Sequence, residues 1–354
     1  MRRGPDSDGR LLVVAHHLVI DAFSWRILLE DLERAYRQLS RGESVQLPPK
    51  TTSFKQWAER LASHARSGAQ TAAPDFWLDM ARDGVGALPG DYDGDNTAGS
   101  ARDVTVSLDE DETRALLRRV QQEHHAQMDE ALMAALLGAF EKRLGRPSLL
   151  VAVEGHGRDS AFADVDLSRT VGWFTTIYPV RLDGEAGDSA AGRLSRVRDR
   201  LRQVRDGGLD YGLLRYLSGD GKVADELRKS LRAEVSFLYL GQLDRALSES
   251  SLFTPAEEST GPYCDPRNRR AHLFEVVALV SGGRLRVTWV YSANVHHAAT
   301  VESLAADFLN SLRALAADEQ PGAAEGINAS DFAAFGWGRE DLDGFVEKIN
   351  ETLK

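Results

Sequence analysis

The chain has 354 residues, 42% of them apolar and 27% charged, with a formal net charge of −11. That balance suits a globular protein large enough for two cores, and it argues against a general binder of nucleic acid or of anionic membranes. A single cysteine, Cys264, excludes an intramolecular disulfide and a thiolate metal cluster within the chain and fits a reducing cytoplasm.

The start, Met1-Arg2-Arg3, is basic, but the apolar run behind it soon meets His16, His17 and Asp21, which is not a signal-peptide pattern. No apolar stretch reaches the length of a membrane span. Gly4-Pro5 and Asp8-Gly9 are turn signals, and Leu11 to Ala15 reads as a short buried strand, the second half of a hairpin. His16-His17-Leu18-Val19-Ile20-Asp21 follows, and Arg26 to Gln38 has the apolar spacing of an amphipathic helix. Two histidines and a carboxylate therefore sit at a strand-to-helix junction, where side chains are held firmly yet stay accessible. A histidine there can move a proton near neutral pH, and a carboxylate four positions on can orient it. Zinc ligation by His16, His17 and Asp21 is a weaker alternative, because the chain offers no strong second ligand cluster: His124 and His125 fall in a polar helix, and His296 and His297 follow a strand.

Two helical pieces, 53–62 and 75–80, carry Trp57 and Trp77, which are expected to pack. Gly84 to Gly99 is rich in Gly, Asp and Asn; it reads as a mobile loop and is taken as the boundary between residues 1–100 and 101–354. A strand over 104–108, a helix begun at Asp109 and an apolar helix over 128–144, closed by Gly145 and Pro147, come next. Leu149 to Val153 is a continuous apolar strand ending in Glu154-Gly155-His156-Gly157-Arg158-Asp159. The glycines there allow tight backbone geometry and close approach of a substrate. Arg169 to Val180 (RTVGWFTTIYPV) reads as a turn at Gly172 and a strand, with Phe174 and Tyr178 expected in the core. The helix over 193–205 carries arginines that either form a solvated face or meet an acidic partner or a phosphate. Strands over 235–242, 272–279 and 285–291 follow, the last two joined at Ser281-Gly282-Gly283-Arg284, and a helix runs over 300–315.

These strings, in this order, resemble the epimerization domains of nonribosomal peptide synthetases, members of the condensation-domain superfamily. The resemblance rests on HHLVIDAFSWRILLEDL at 16–32, EGHGR at 154–158, RTVGWFT at 169–175, GLDYGLLRYL at 208–217, VSFLYLGQ at 235–242 and Ser330-Asp331-Phe332. It spans nearly the whole chain. EGHGR and RTVGWFT separate it from ordinary condensation domains. The sequence departs from the family at Ala22 and Asp210, where glycines are usual, and at Leu238, where asparagine is usual.

The resemblance implies a mixed α/β fold of two chloramphenicol-acetyltransferase-like subdomains, with an incomplete N-terminal subdomain in 1–100 and the C-terminal one in 101–354. It implies inversion, L to D, at the α-carbon of an aminoacyl or peptidyl thioester. That substrate is tethered to the 4'-phosphopantetheine of a peptidyl carrier protein, and the domain binds no cofactor or metal of its own. His17 and Glu154 are implied as the acid/base pair across a tunnel, with the face each serves left open, and Tyr239 as a group assisting proton transfer or holding the enolate. His16, Asp21, His156, Arg158 and Trp173 are implied as supporting residues, with Asp21 fixing its loop rather than touching substrate. Expected partners are the carrier protein and neighbouring synthetase modules. Two rivals are a condensation domain forming peptide bonds and an inactive remnant that only docks a carrier protein.

Overall fold

The structure is a computed structural model; it describes residues 9–317, apart from 68–72, 83–84, 86, 159–161, 205, 231, 243–251 and scattered positions within 254–263. Three helices come first: α1 (Ala22–Ser40), α2 (Phe54–Arg66) and α3 (Ala73–Arg82). Each start has a physical cause where a cap is visible. The Asp21 carboxylate accepts the Ser24 N–H, and Ser53 forms a capping box with Gln56, which satisfies amide groups that no helical carbonyl can reach.

The body of the protein is one six-stranded sheet. Its strands are β1 (Ala101–Ser107), β2 (Ser148–Gly155), β3 (Thr176–Asp183), β4 (Val235–Gln242), β5 (Phe274–Ser281) and β6 (Arg284–Ser292). The spatial order is β1-β6-β5-β4-β2-β3, with β4 parallel to both β2 and β5 and the other pairs antiparallel. One face is covered by α4 (Glu110–Gln122), α5 (Met128–Leu144), α6 (Ala190–Leu201) and α7 (Ala298–Ala317). Asp109 caps α4 above three acidic first-turn residues, and Gly145 ends α5 in the left-handed region at φ 65°. Helix α5 is apolar on every side because it is central, with Ala131, Leu132, Leu136 and Leu137 fully enclosed.

The large core lies between this sheet face and its helices, and Trp77 and Met80 of α3 belong to it. A smaller cluster of Trp57, Phe162, Leu167 and Phe174 ties α2 to the long connection between β2 and β3. Trp57, Trp77, Phe174 and Tyr178 are all buried, as expected.

Four expectations need correction or completion. Leu11 to Ala15 is not a strand. Leu11, Leu12, Val13 and Val14 are 61%, 66%, 50% and 82% exposed, because no described strand runs alongside them and an unpaired apolar run gains nothing from extended geometry. His124 and His125 lie beyond the end of α4, in the turn before α5, with His125 at φ 48°. The stretch 87–99 is strapped down: the Asp91 and Tyr92 N–H groups donate to the Val295 carbonyl at 2.9 and 3.0 Å, and Gly94 sits too close to the Asn294 backbone to admit a side chain. The arginines of α6 are engaged within the chain, Arg193 with Glu141, Arg196 with Glu185 and Asp188, and Arg200 with Asp183. Ser330-Asp331-Phe332, Asp159 and residues 1–8 lie outside the described residues. Among the described residues no helix is long and apolar enough to cross a membrane.

Candidate active site

The helices cover one sheet face; the candidate site lies on the other. Strand alternation sorts the side chains. Val151 and Val153 of β2 pair with Val235 and Phe237 of β4, and all four point into the large core. Glu154 therefore points the opposite way. Its antiparallel partner Ile177 is 48% exposed on that open face, with Leu238 and its partner Val277 on the same side.

The Glu154 carboxylate is half-buried and accepts no hydrogen bond among the described residues. Burial pushes its pKa above the usual glutamate range, charge on His272 and His17 pulls it back, and Glu275 pushes it up. A carboxyl tuned towards neutrality, with free lone pairs, can exchange protons with a substrate.

His17 begins a short 3-10 turn, His17–Val19, and is exposed. Its imidazole rests on the indole of Trp173, with ring centroids 5.2 Å apart and planes tilted by 55°. His16 is used differently. Its Nδ1 accepts the Leu18 N–H at 3.1 Å and caps the turn. His156 does the same for the Arg158 N–H at 3.1 Å. Both turn Nδ1 to the backbone, so their neutral rings carry the proton on Nε2.

Asp21 and Arg158 form a buried ion pair, with side chains 5% and 4% exposed and Nη2 at 2.9 and 3.0 Å from the two carboxylate oxygens. The guanidinium also donates to the carbonyls of Leu167 and Thr170 at 2.9 and 2.8 Å and to Ser24 Oγ at 2.9 Å, and it lies between the rings of Phe23 and Phe174. Burial opposes its charge and Asp21 offsets that cost. This node fastens the HH-containing turn to the EGHGR loop. Arg169 adds a second fastening through Glu30 and Asp31 of α1.

The glycines of EGHGR have a steric cause. Gly157 is at φ +64°, and a Cβ there would overlap the Phe174 carbonyl oxygen; a Cβ on Gly155 would meet Thr176 Oγ1 at 2.7 Å. The end of β2 is pressed against the backbone that carries Trp173.

The structure thus gathers His17, Trp173, Asp21, Arg158 and His156 around the end of β2, with His17 within electrostatic reach of Glu154. Tyr239 is not gathered there. In register with the buried Ala278, it falls on the core-facing side of β4, and its ring packs against the large cluster. A tyrosine at the end of an apolar strand reads the same from sequence on either face; strand parity relative to Glu154 decides it. Sequence reasoning also missed His272, whose Nδ1–H donates to the Ala233 carbonyl at 2.8 Å, because it stood in a predicted strand with no motif around it. Ser24 was missed too, though it lies inside the HH motif. Asp21 is spent on Arg158, and among the described residues no three His, Cys, Asp or Glu side chains gather as a metal site.

Comparison with known proteins bears on this geometry. Residues 4–329 match the condensation-domain family. The chain is 42% identical, over 97% of its length, to one of the linear gramicidin synthase proteins of Brevibacillus parabrevis, but it spans only 4% of that protein. It superposes on the epimerization domain from the third module of tyrocidine synthetase B with a TM-score of 0.77 and 32% identity, covering 85% of this chain and 67% of that one. The first condensation domain of the calcium-dependent antibiotic synthetase shares the fold, with a TM-score of 0.60 at 18% identity, over 86% of this chain and 63% of that one. Built on that mixed sheet, with the HH turn fastened to it by a buried ion pair, the chain belongs to the condensation-domain family.

Proposed function

We propose that the chain is an epimerization domain of a nonribosomal peptide synthetase, inverting the α-carbon of an aminoacyl or peptidyl thioester on a carrier protein. The observation that carries the reading is Glu154: half-buried, without a hydrogen bond among the described residues, raised in pKa, and electrostatically coupled to His17. Inversion needs a proton taken from one face and another delivered to the opposite face. One of the pair takes the Cα proton, and the C–H electron pair moves into the thioester carbonyl as an enolate. The other, already protonated, gives its proton to the opposite face, and the enolate electrons return to Cα. The same pair runs the reaction backwards with roles exchanged. The pantetheine arm and thioester belong to the substrate, and the domain contributes the two proton carriers and the open sheet face. Tyr239 takes no part in this reading.

A second reading, peptide-bond formation, is favoured by the match to the condensation-domain family and by the presence of His17. It leaves Glu154 without a role. The discriminating experiment loads a carrier protein with an L-aminoacyl pantetheine thioester, adds the chain in deuterated water, and follows deuterium uptake and the D/L ratio. Exchange that collapses in Glu154→Gln and in His17→Ala supports epimerization. Absence of exchange from the folded chain, with amide formation when an acceptor amine is supplied, supports condensation.

A further inference from the structure

The backbone on either side of Trp173 is gripped more tightly than core packing requires. Ser24 is fully enclosed, and its hydroxyl is used three times: it donates to the Gly172 carbonyl at 3.0 Å and accepts from the Gly172 N–H at 3.1 Å and from Arg158 Nη2 at 2.9 Å. On the other side of Trp173, the Phe174 N–H donates to Asp21 Oδ2 at 3.2 Å. Gly172 has no room for a side chain, since a Cβ would run into the rings of Phe54 and Phe174, so the peptide can approach α1 only as glycine. The residue between these clamps is not itself in the core. Trp173 is 37% exposed and turns its indole outward onto His17. Buried polar groups that make this many bonds fix a geometry closely, because each misplaced atom would be left unsatisfied. Here the geometry they fix is that of an exposed indole.

We propose that Trp173 and Ser24 are positioning residues for His17, with the Ser24 clamp on Gly172 holding the indole as a platform that orients the imidazole on the open sheet face. The proposal rests on the reading of His17 as a proton carrier, while its first arm below is independent of that reading. His17 makes no side-chain hydrogen bond among the described residues, so the indole is the described group that limits its rotation. Ser24 has no described contact with His17 and reaches it through the Gly172 backbone, which its hydroxyl shares with Arg158.

The test has two arms. In the first, the chain is labelled with 13C-histidine, the His17 ring resonance is identified by its loss in His17→Gln, and its displacement by the indole ring current is measured. In the second, kcat and KM for α-proton exchange are measured on a carrier-bound thioester. Trp173→Leu is expected to abolish the ring-current displacement and to lower kcat by about tenfold to a hundredfold, with KM within about twofold, the size of loss that follows an ångström-scale misplacement. Trp173→Phe, which keeps an aromatic face, recovers most of that loss. Ser24→Ala shifts the His17 resonance in the same direction, and the double variant is no worse than Trp173→Leu alone, because both changes act on one contact. If Ser24→Ala fails to fold, the two Trp173 variants decide alone, since they alter an exposed side chain. An unchanged His17 resonance in Trp173→Leu, or kinetic losses that multiply in the double variant, would overturn the proposal. Wild-type protein without exchange but with the ring-current displacement refutes epimerization and leaves the platform standing.

Discussion

The buried pair between Asp21 and Arg158 is expected to dominate the stability of the junction between the HH turn and the sheet. Asp21 has three commitments: it caps α1 through the Ser24 N–H at 2.7 Å, accepts the Phe174 N–H, and neutralises Arg158. Asp21→Asn keeps an oxygen for the cap but leaves the guanidinium charged, enclosed and without its counter-ion, a loss of about 3–5 kcal/mol. Asp21→Ala adds the lost cap, about 1 kcal/mol more. Against a typical total of about 5–15 kcal/mol, either change removes a large fraction. Arg158→Met is also costly, since it strands the Asp21 charge and frees the carbonyls of Leu167 and Thr170. Each single variant leaves one buried charge unpaired, whereas Asp21→Asn combined with Arg158→Met leaves none. The double variant is therefore expected to lose less than the sum of the singles by at least about 2 kcal/mol. Urea unfolding followed by tryptophan fluorescence and far-UV circular dichroism measures all four corners of the cycle. A loss below about 1 kcal/mol for Asp21→Asn, or additivity within about 0.5 kcal/mol, would refute the reasoning.

Three further predictions concern the same region. Because Glu154 has a folded-state pKa above its unfolded one, the native state holds a proton that the unfolded chain releases, so stability falls as pH rises through that window and stays lower above it. Glu154→Gln should then unfold at higher urea than wild type at about pH 7.5 but together with it at about pH 3.5, below the ordinary glutamate value of about 4.3; equal displacement at both would contradict the burial argument. Gly157→Ala places a Cβ at a positive φ and into the Phe174 carbonyl, and a loss of more than about 2 kcal/mol in the urea midpoint analysis is expected. Tyr239→Phe should leave the α-proton exchange rate within about threefold of wild type, since that side chain packs on the core side of β4; a hundredfold loss would place its hydroxyl in the chemistry.

Helices and strands with strong local signals stood out in the sequence alone. The span of α5 follows from a largely apolar run, interrupted at Gly138 and closed by Gly145, and the β5–β6 hairpin follows from Gly282-Gly283 between two apolar runs, because period, caps and turn residues are local properties. The glycine-flanked His156 and the HH turn were likewise visible as places where chemistry could occur, and the resemblance to epimerization domains rested on the order of such strings. Leu11 to Ala15 shows the limit of that logic: its composition asks for a strand, but a strand exists only where a neighbour offers the hydrogen bonds.

Contacts between residues far apart in the chain were decided by tertiary structure. The pairing of Asp21 with Arg158, 137 residues away, and the grip of Ser24 on Gly172, 148 residues away, depend on how α1 meets the β2–β3 connection. The seating of Trp173 on His17, the parity that turns Glu154 and Tyr239 to opposite faces, and the approach of His272 depend on sheet register and on burial. The amino-acid sequence by itself determined which groups could carry protons and where the chain turns. The packed sheet alone determined which of those groups share a face and which one is desolvated, because desolvation and register are properties of the whole assembly of strands rather than of any one segment.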